Sequence, residues 1–258
     1  MSDANHYQVV IVGFGPTGAI AASLLGRDGI TTLAIDRARE IYDKPRAIAL
    51  DHEIMRLFDN LGIAEQVSRY VAPFPASEHF GAQGQLIRRI DMIGEPYPLG
   101  YTPSMVFTQP PVEQVMRDYV AGLPSVTVEL GTTLVDIRQD ANAATVVLTR
   151  EDGATREVTA DYVIACDGAS STVRQKLGIT FDDLDFDEPW LVVDIRVHRR
   201  PDLFPARRAC TGRRNCSARS NTVGALQYNG SVHPRHRQFR HGSVDRRNLH
   251  VSGLPRPP

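Results

Sequence analysis

Cysteine is scarce here: only Cys166, Cys210 and Cys216 occur in the 258 residues, and no pair has CxxC spacing. An odd number without that spacing gives neither a disulfide framework nor a zinc site, and a reducing cytoplasm fits best. No apolar run is long enough to span a bilayer, so no membrane attachment is expected. The first residues, Met1 to His6, lack the charged and apolar parts of a signal peptide. His52 and His79 have no ligand spacing around them and read as ordinary polar residues, so no metal is expected. Lysine is absent from the last quarter of the chain, where arginine takes over. Residues 196–258 carry 14 arginines and two acids, a balance of +12, whereas residues 1–195 carry 28 acids against 15 bases, a balance of −13. That asymmetry raises the question of a basic arm for nucleic acid or an anionic lipid surface.

What the chain does have is a glycine turn in an informative place. The apolar run Val9 to Val12 reads as a buried strand that leads into Gly13-Phe14-Gly15-Pro16-Thr17-Gly18 and then a helix over Ala19 to Arg27. Gly13 allows a tight turn, Gly15 lets the backbone approach a pyrophosphate, and Gly18 lets the helix pack on the strand. The helix start, with its free N–H groups, would face the phosphates. A second strand, Thr31 to Ile35, ends at Asp36, where a carboxylate is needed for a ribose hydroxyl; Arg37 follows it. The chain therefore opens on a candidate dinucleotide site in an α/β, Rossmann-like fold.

Periodicity continues to about residue 195. Helices are expected over 51–60, with Ile54, Leu57, Phe58 and Leu61 on its apolar face and Gly62 ending it, and over 112–121, opened by Pro110 and Pro111. Residues 70–105 suit the strands and loops of an inserted region. Strands are expected over 126–130, 133–138 and 144–149, then a hairpin turn at Asp152-Gly153 returns the chain through 154–158. Tyr162 to Ala165 reads as a buried strand ending at Cys166-Asp167-Gly168, before a short helix over 171–177; Trp190 to Val197 is the last strand. Beyond it Arg, Ser, Gly, His, Pro and Asn dominate, and 198–258 is expected to be disordered for want of apolar surface.

Four separated pieces share one pattern: Gly13 to Gly18 with Asp36; Pro45-Arg46-Ala47-Ile48-Ala49-Leu50; Thr108-Gln109-Pro110-Pro111-Val112-Glu113; and Cys166-Asp167-Gly168-Ala169-Ser170-Ser171-Thr172-Val173-Arg174. Together they resemble the single-component FAD-dependent aromatic hydroxylases. Asp185 to Asp194 adds a likeness to the hydroxyphenylpropionate hydroxylases among them. The resemblance implies an FAD/NAD(P)-binding domain over 5–70 and 106–180, with part of a β-rich substrate region over 71–105 and 181–197. It implies that Gly13, Gly15 and Gly18, with Pro16 and Thr17 between them, hold the FAD pyrophosphate, and that Asp36 with Arg37 meets the adenosine ribose. Arg46 matches an arginine near the pyrophosphate and ribityl chain, and Gln109 a polar residue beside the flavin. Asp167 and Gly168 match a motif associated with FAD and reduced nicotinamide, which Arg174 closes.

The residues themselves leave other readings open. Arg46 could be a solvated loop arginine, Gln109 a polar residue before a helix, and Asp167-Gly168 an N-cap with a glycine turn. Cys166 reads as a small buried residue. The family chemistry consumes NAD(P)H and O2 to place a hydroxyl on a phenolic acid, and it needs no nucleophile–base pair in the protein. The substrate would be a small 3-hydroxyphenylpropionate-like phenol; nucleic acid is not an expected partner.

One departure is plain: the family's later Gly-Asp segment has no counterpart, since no Gly-Asp dipeptide occurs in the chain. The expectation is a truncated or frameshifted C-terminal part, with weak or absent FAD retention and little turnover. An FAD-dependent oxidase or dehydrogenase, and a dinucleotide module with a basic arm, are the alternative functions.

Overall fold

The computed structural model describes residues 5–43, 47–74, 76–80, 83–92, 94–184, 190–196, 216–220, 225–231 and 250–252. The chain divides into two units. One comprises Met1–Pro45, Asp59–Val67 and Gln109–Asp183, and the other Arg46–Phe58, Ser68–Thr108 and Leu184–Pro258.

The first unit is built on a six-stranded sheet. Strand β1 (His6–Val12) lies between β2 (Thr32–Asp36) and β11 (Thr155–Ala165), and β8 (Val126–Leu130) continues the sheet beyond β2. These four strands are parallel. β10 (Ala144–Arg150) and β9 (Thr132–Gln139) extend it antiparallel on the far side of β11. Val9 to Val12 are each no more than 6% exposed, which explains the unbroken apolar run: a central parallel strand is covered on both faces. Val10, Leu33, Ile35, Leu134, Val146 and Val158 meet in one cluster, so the parallel and antiparallel halves share a core.

Helix α1 (Pro16–Arg27) packs on β1, β2 and helix α4 (Gln109–Ala121). Its buried face is Gly18, Ala19, Ala22, Ser23 and Gly26, small residues that let its backbone come close to its neighbours. A Cβ on Gly26 would lie 2.7 Å from Leu123 Cδ1. Ser23 is buried without cost in unpaired groups, because its hydroxyl donates to the Ala19 carbonyl at 2.7 Å. Helix α5 (Thr172–Lys176) packs against β9.

Register places the ends of the parallel strands together. Val12 stands opposite both Ile35 and Ala165, so Gly13, Asp36 and Cys166-Asp167 all emerge at the same carboxyl edge of the sheet. Ligand sites of open α/β sheets form at such an edge.

The second unit is made of smaller antiparallel sheets. β3 (Ala49–Asp51) and β4 (Val71–Pro73) flank β7 (Ser104–Phe107), and β5 (Ala76–Phe80) pairs with β6 (Leu86–Asp91). β12 (Trp190–Arg196) pairs antiparallel with β14 (Ala225–Ser231) on one side and β15 (His250–Ser252) on the other, and β13 (Cys216–Ser220) pairs with β14.

Several elements differ from expectation. Residues 155–158 and 162–165, expected in two separate strands, belong to the single β11, and Tyr162 and Ile164, expected in a buried strand, are exposed at its carboxyl end. Val158 and Ala160 are both fully buried, so the inward alternation runs on through the polar Thr159 and Asp161. Helix α2 (His52–Asn60) buries Met55 and Phe58, with Ile54 and Leu57 only half-buried. A short helix α3 (Ala64–Ser68) had no capping signal to announce it. At 216–220, 225–231 and 250–252 the chain forms strands where no regular structure was expected. Composition weighs side-chain burial, whereas a ladder is closed by main-chain N–H and C=O groups, and β12 offers both of its edges. The rest of 198–258 lies outside the described residues. Among the described residues no helix is long and apolar enough to cross a membrane.

Leu33 is fully buried where the two halves of the sheet share their core. Leu33→Ala is expected to lower the unfolding free energy by about 2–5 kcal/mol, measured by urea denaturation.

Candidate dinucleotide site

The glycine turn is shaped by what cannot fit in it. Gly13 has φ of 99°, a conformation that disfavours side chains, and its N–H donates to the Ile35 carbonyl at 2.8 Å. A Cβ there would collide with the Cys166 carbonyl and lie 2.9 Å from the Asp167 nitrogen, so the ends of β1 and β11 touch through main chain alone. A Cβ on Gly18 would collide with the Gly13 carbonyl and approach the Cys166 Cβ to 3.4 Å. Gly15 is the opposite case: its φ of −74° is ordinary, and an added Cβ would meet nothing within 4 Å. Gly13 and Gly18 serve packing; Gly15 leaves space.

That space lies at the start of α1. Gly15 occupies the N-cap position and no side chain caps the helix; Pro16 stands in the first turn, where its missing N–H costs nothing. Pro16 and Thr17 are exposed, while Gly18 is buried. The first N–H groups of a helix have no intrahelical acceptor, so an anion there would be met by main-chain donors and the positive helix end.

Asp36 sits beside the turn and is only half-buried. Its Oδ2 accepts the Phe14 N–H at 2.7 Å, and its Oδ1 accepts the Ala38 N–H at 2.8 Å. Each carboxylate oxygen has a further lone pair for a hydroxyl donor. Arg37 is exposed. The residues at the end of β2 thus brace the glycine turn while leaving acceptor capacity on both carboxylate oxygens.

At the end of β11, Asp167 is engaged with its own loop. Its Oδ1 accepts the Ser171 hydroxyl at 2.6 Å and its Oδ2 the Val173 N–H at 3.1 Å. Ser171 caps α5 by accepting the Arg174 N–H at 3.0 Å. Arg174 turns back to donate from Nη1 to the Ala169 carbonyl at 2.6 Å, with its guanidinium 4.8 Å from the Phe181 ring centre. Gly168, at φ of 83°, permits the reversal. Burial, and secondarily the Asp167 charge, push the Cys166 thiol up from its usual range, which disfavours the thiolate. Arg46 lies outside the described residues.

Helix α4 supplies Arg117, which sequence reasoning passed over, and a contact for Glu113, which it quoted only as part of a motif. Glu113 and Arg117, one turn apart, form an ion pair at 3.0 Å with side chains 6% and 11% exposed. Arg117 Nη2 also donates to the Phe14 carbonyl at 3.0 Å, and its guanidinium lies 5.2 Å from the Phe14 ring centre. Burial pushes the Glu113 carboxyl up; Arg117 and a hydrogen bond from Gln109 oppose that, while the Asp36 charge adds to it. Gln109 is thereby tied to the helix face that supports the glycine turn. Spacing of four between an acid and an arginine is common on solvated helix faces, so only the Gln109-to-Arg117 periodicity beneath the glycine loop could have hinted at this pair.

Among the described residues no group of three His, Cys, Asp or Glu side chains comes together as a metal site. A dinucleotide fits the groups present: open space at Gly15, uncapped N–H groups at Thr17 and Gly18, and a half-buried carboxylate at Asp36 with acceptor capacity to spare.

Comparison with known proteins agrees with this geometry. The model of a family described as "FAD binding domain" matches residues 6–234. The 3-(3-hydroxy-phenyl)propionate/3-hydroxycinnamic acid hydroxylase of Burkholderia cenocepacia (strain HI2424) is 36% identical over 199 residues, 77% of this chain and 36% of that protein. A probable NADH-specific resorcinol 4-hydroxylase of Rhodococcus jostii (strain RHA1) is 34% identical over 204 residues, 78% of this chain and 38% of that protein. The chain thus spans little more than a third of the length of these curated relatives. Among solved structures, p-nitrophenol 4-monooxygenase PnpA from Pseudomonas putida DLL-E4 shares the fold with a TM-score of 0.76 at 22% identity, over 90% of this chain and 59% of that one. The flavin-dependent monooxygenase PieE, solved with FAD and substrate, does so with a TM-score of 0.73 at 23% identity, over 93% of this chain and 45% of that one. With a family model matching most of its length, this chain belongs to the FAD-binding-domain family.

Proposed function

We propose that this chain forms the FAD-binding part of a flavin-dependent monooxygenase that hydroxylates a small phenolic acid of the 3-hydroxyphenylpropionate class, with NAD(P)H as reductant and O2 as co-substrate. The observation that carries the reading is the glycine turn, closed by main-chain packing at Gly13 and Gly18 yet open at Gly15 beside an uncapped helix. Substrate class follows from the relatives, whose names specify hydroxylated aromatic rings.

In this reading the N–H groups at the start of α1 hold the FAD pyrophosphate, with Gly15 giving room for its approach. Asp36 accepts a ribose hydroxyl on lone pairs left free by Phe14 and Ala38, with Arg37 beside it. Gln109 stands toward the flavin. Asp167, Gly168 and Arg174 shape the loop at the end of β11, where FAD and the reduced nicotinamide are expected to pass. When bound, FAD supplies the redox and oxygen chemistry; the protein binds, orients and excludes water.

Titration of FAD with the purified protein, followed by flavin fluorescence, tests the binding step; saturable binding is expected, and none would overturn the reading. Gly15→Ala is expected to weaken FAD binding at least about tenfold with the ligand-free melting temperature lowered by no more than a few degrees, because the added Cβ meets no protein atom within 4 Å. Gly18→Ala is expected to lower both, since its Cβ strikes the Gly13 carbonyl.

The reaction is tested by supplying NADH or NADPH, O2 and 3-(3-hydroxyphenyl)propionate to the FAD-loaded protein. A ring-hydroxylated product formed at a low rate is the expected result. Nicotinamide oxidation yielding only hydrogen peroxide, whatever the phenol, would favour the oxidase reading instead.

A further inference from the structure

Phe14, the one bulky residue in the glycine turn, is held from both ends of its main chain by charged side chains. Its N–H donates to Asp36 Oδ2 at 2.7 Å, and its carbonyl accepts from Arg117 Nη2 at 3.0 Å. Its ring is 2% exposed and lies 5.2 Å under the Arg117 guanidinium. The Phe14 carbonyl belongs to the same planar peptide group as the Gly15 N–H, and in a trans peptide those two groups point in opposite directions. Whatever fixes the carbonyl therefore also aims the Gly15 N–H. Arg117 draws the carbonyl toward α4, so the Gly15 N–H is turned the other way. Gly15 is also the glycine of the turn with nothing within 4 Å of an added Cβ.

We infer that Arg117, held by Glu113, is a positioning residue for FAD: by gripping the Phe14 carbonyl it orients the Gly15 peptide so that its N–H points at the pyrophosphate. The inference rests on the FAD reading above and deepens it. Glu113 has two parts in the device. Its Oε1 receives the same Nη2 that reaches Phe14, which fixes the guanidinium in place, and its charge balances an arginine whose side chain is only 11% exposed. Gln109 hydrogen-bonds Glu113, so the residue expected beside the flavin and the turn expected at the pyrophosphate are joined through one face of α4. No step of the chemistry passes through Arg117, whose contacts are the Phe14 carbonyl, the Phe14 ring and the Glu113 carboxylate.

A merely structural ion pair would predict a different pattern of losses. Removing Arg117 alone leaves Glu113 buried with an unbalanced charge, so Arg117→Met lowers stability on either view. The informative variant is E113Q/R117M, which removes the grip on Phe14 without leaving a buried charge. FAD affinity of the wild type, R117M and E113Q/R117M is measured by flavin fluorescence, and ligand-free melting by circular dichroism. Both variants are expected to bind FAD about tenfold or more weakly, the scale of one lost charge-assisted hydrogen bond, with E113Q/R117M melting within a few degrees of wild type. Double-variant affinity within about twofold of wild type would overturn the inference. So would a loss of affinity accompanied by a collapsed melting curve, which assigns the pair a structural role. Failure of the wild type itself to bind FAD is a separate result and falls on the proposed function.

Discussion

Main-chain crowding at one point governs the architecture of the first unit. The end of β1, the first turn of α1 and the end of β11 approach so closely that side chains are excluded at Gly13 and Gly18. That contact brings α1 down onto the sheet, and the helix continues the theme with Ala19, Ala22, Ser23 and Gly26 on its inner face. Bulkier residues along this line would lift the helix and separate its amino end from the carboxyl edge of the sheet. The site is therefore a by-product of close packing: three strand ends and one helix start converge because nothing stands between them.

Around that contact, polar side chains serve mainly to fix backbone. Asp36 holds Phe14 and Ala38; Asp167 and Ser171 hold the start of α5; Arg174 holds Ala169; Arg117 holds Phe14. Most of these bonds run to main-chain groups, and several are charge-assisted, the stronger class of hydrogen bond. A loop fixed in this way presents its donors with little reorganisation when a ligand arrives, which is what preorganisation means in energetic terms.

Much of this was legible in the amino-acid sequence, for identifiable reasons. The β1 run, the spacing of Gly13, Gly15 and Gly18, and Asp36 at the end of β2 each have one dominant physical explanation, and they reinforce one another. Asp167 was harder, because an aspartate before a short helix suits a cap and a ligand equally; its contacts within the protein are those of a cap. Arg117, and with it the role of Glu113, was invisible because the partner of Arg117 is a backbone carbonyl 103 positions away, which leaves no mark on residue type. The strands at 216–220, 225–231 and 250–252 escaped for a related reason: their pairing is a property of peptide groups, and composition reports only on side chains.

The anchoring of Asp36 on two main-chain amides has an evolutionary corollary. In many nucleotide-binding folds the residue at the end of the second strand is where preference between nucleotides can be altered by one substitution. Here that residue also supports the turn, so exchanging it for a neutral or basic side chain would release Phe14 and Ala38 together. On the proposed reading, a lineage carrying this arrangement is constrained in its cofactor repertoire: a change of nucleotide would require a compensating support for the turn to arise first.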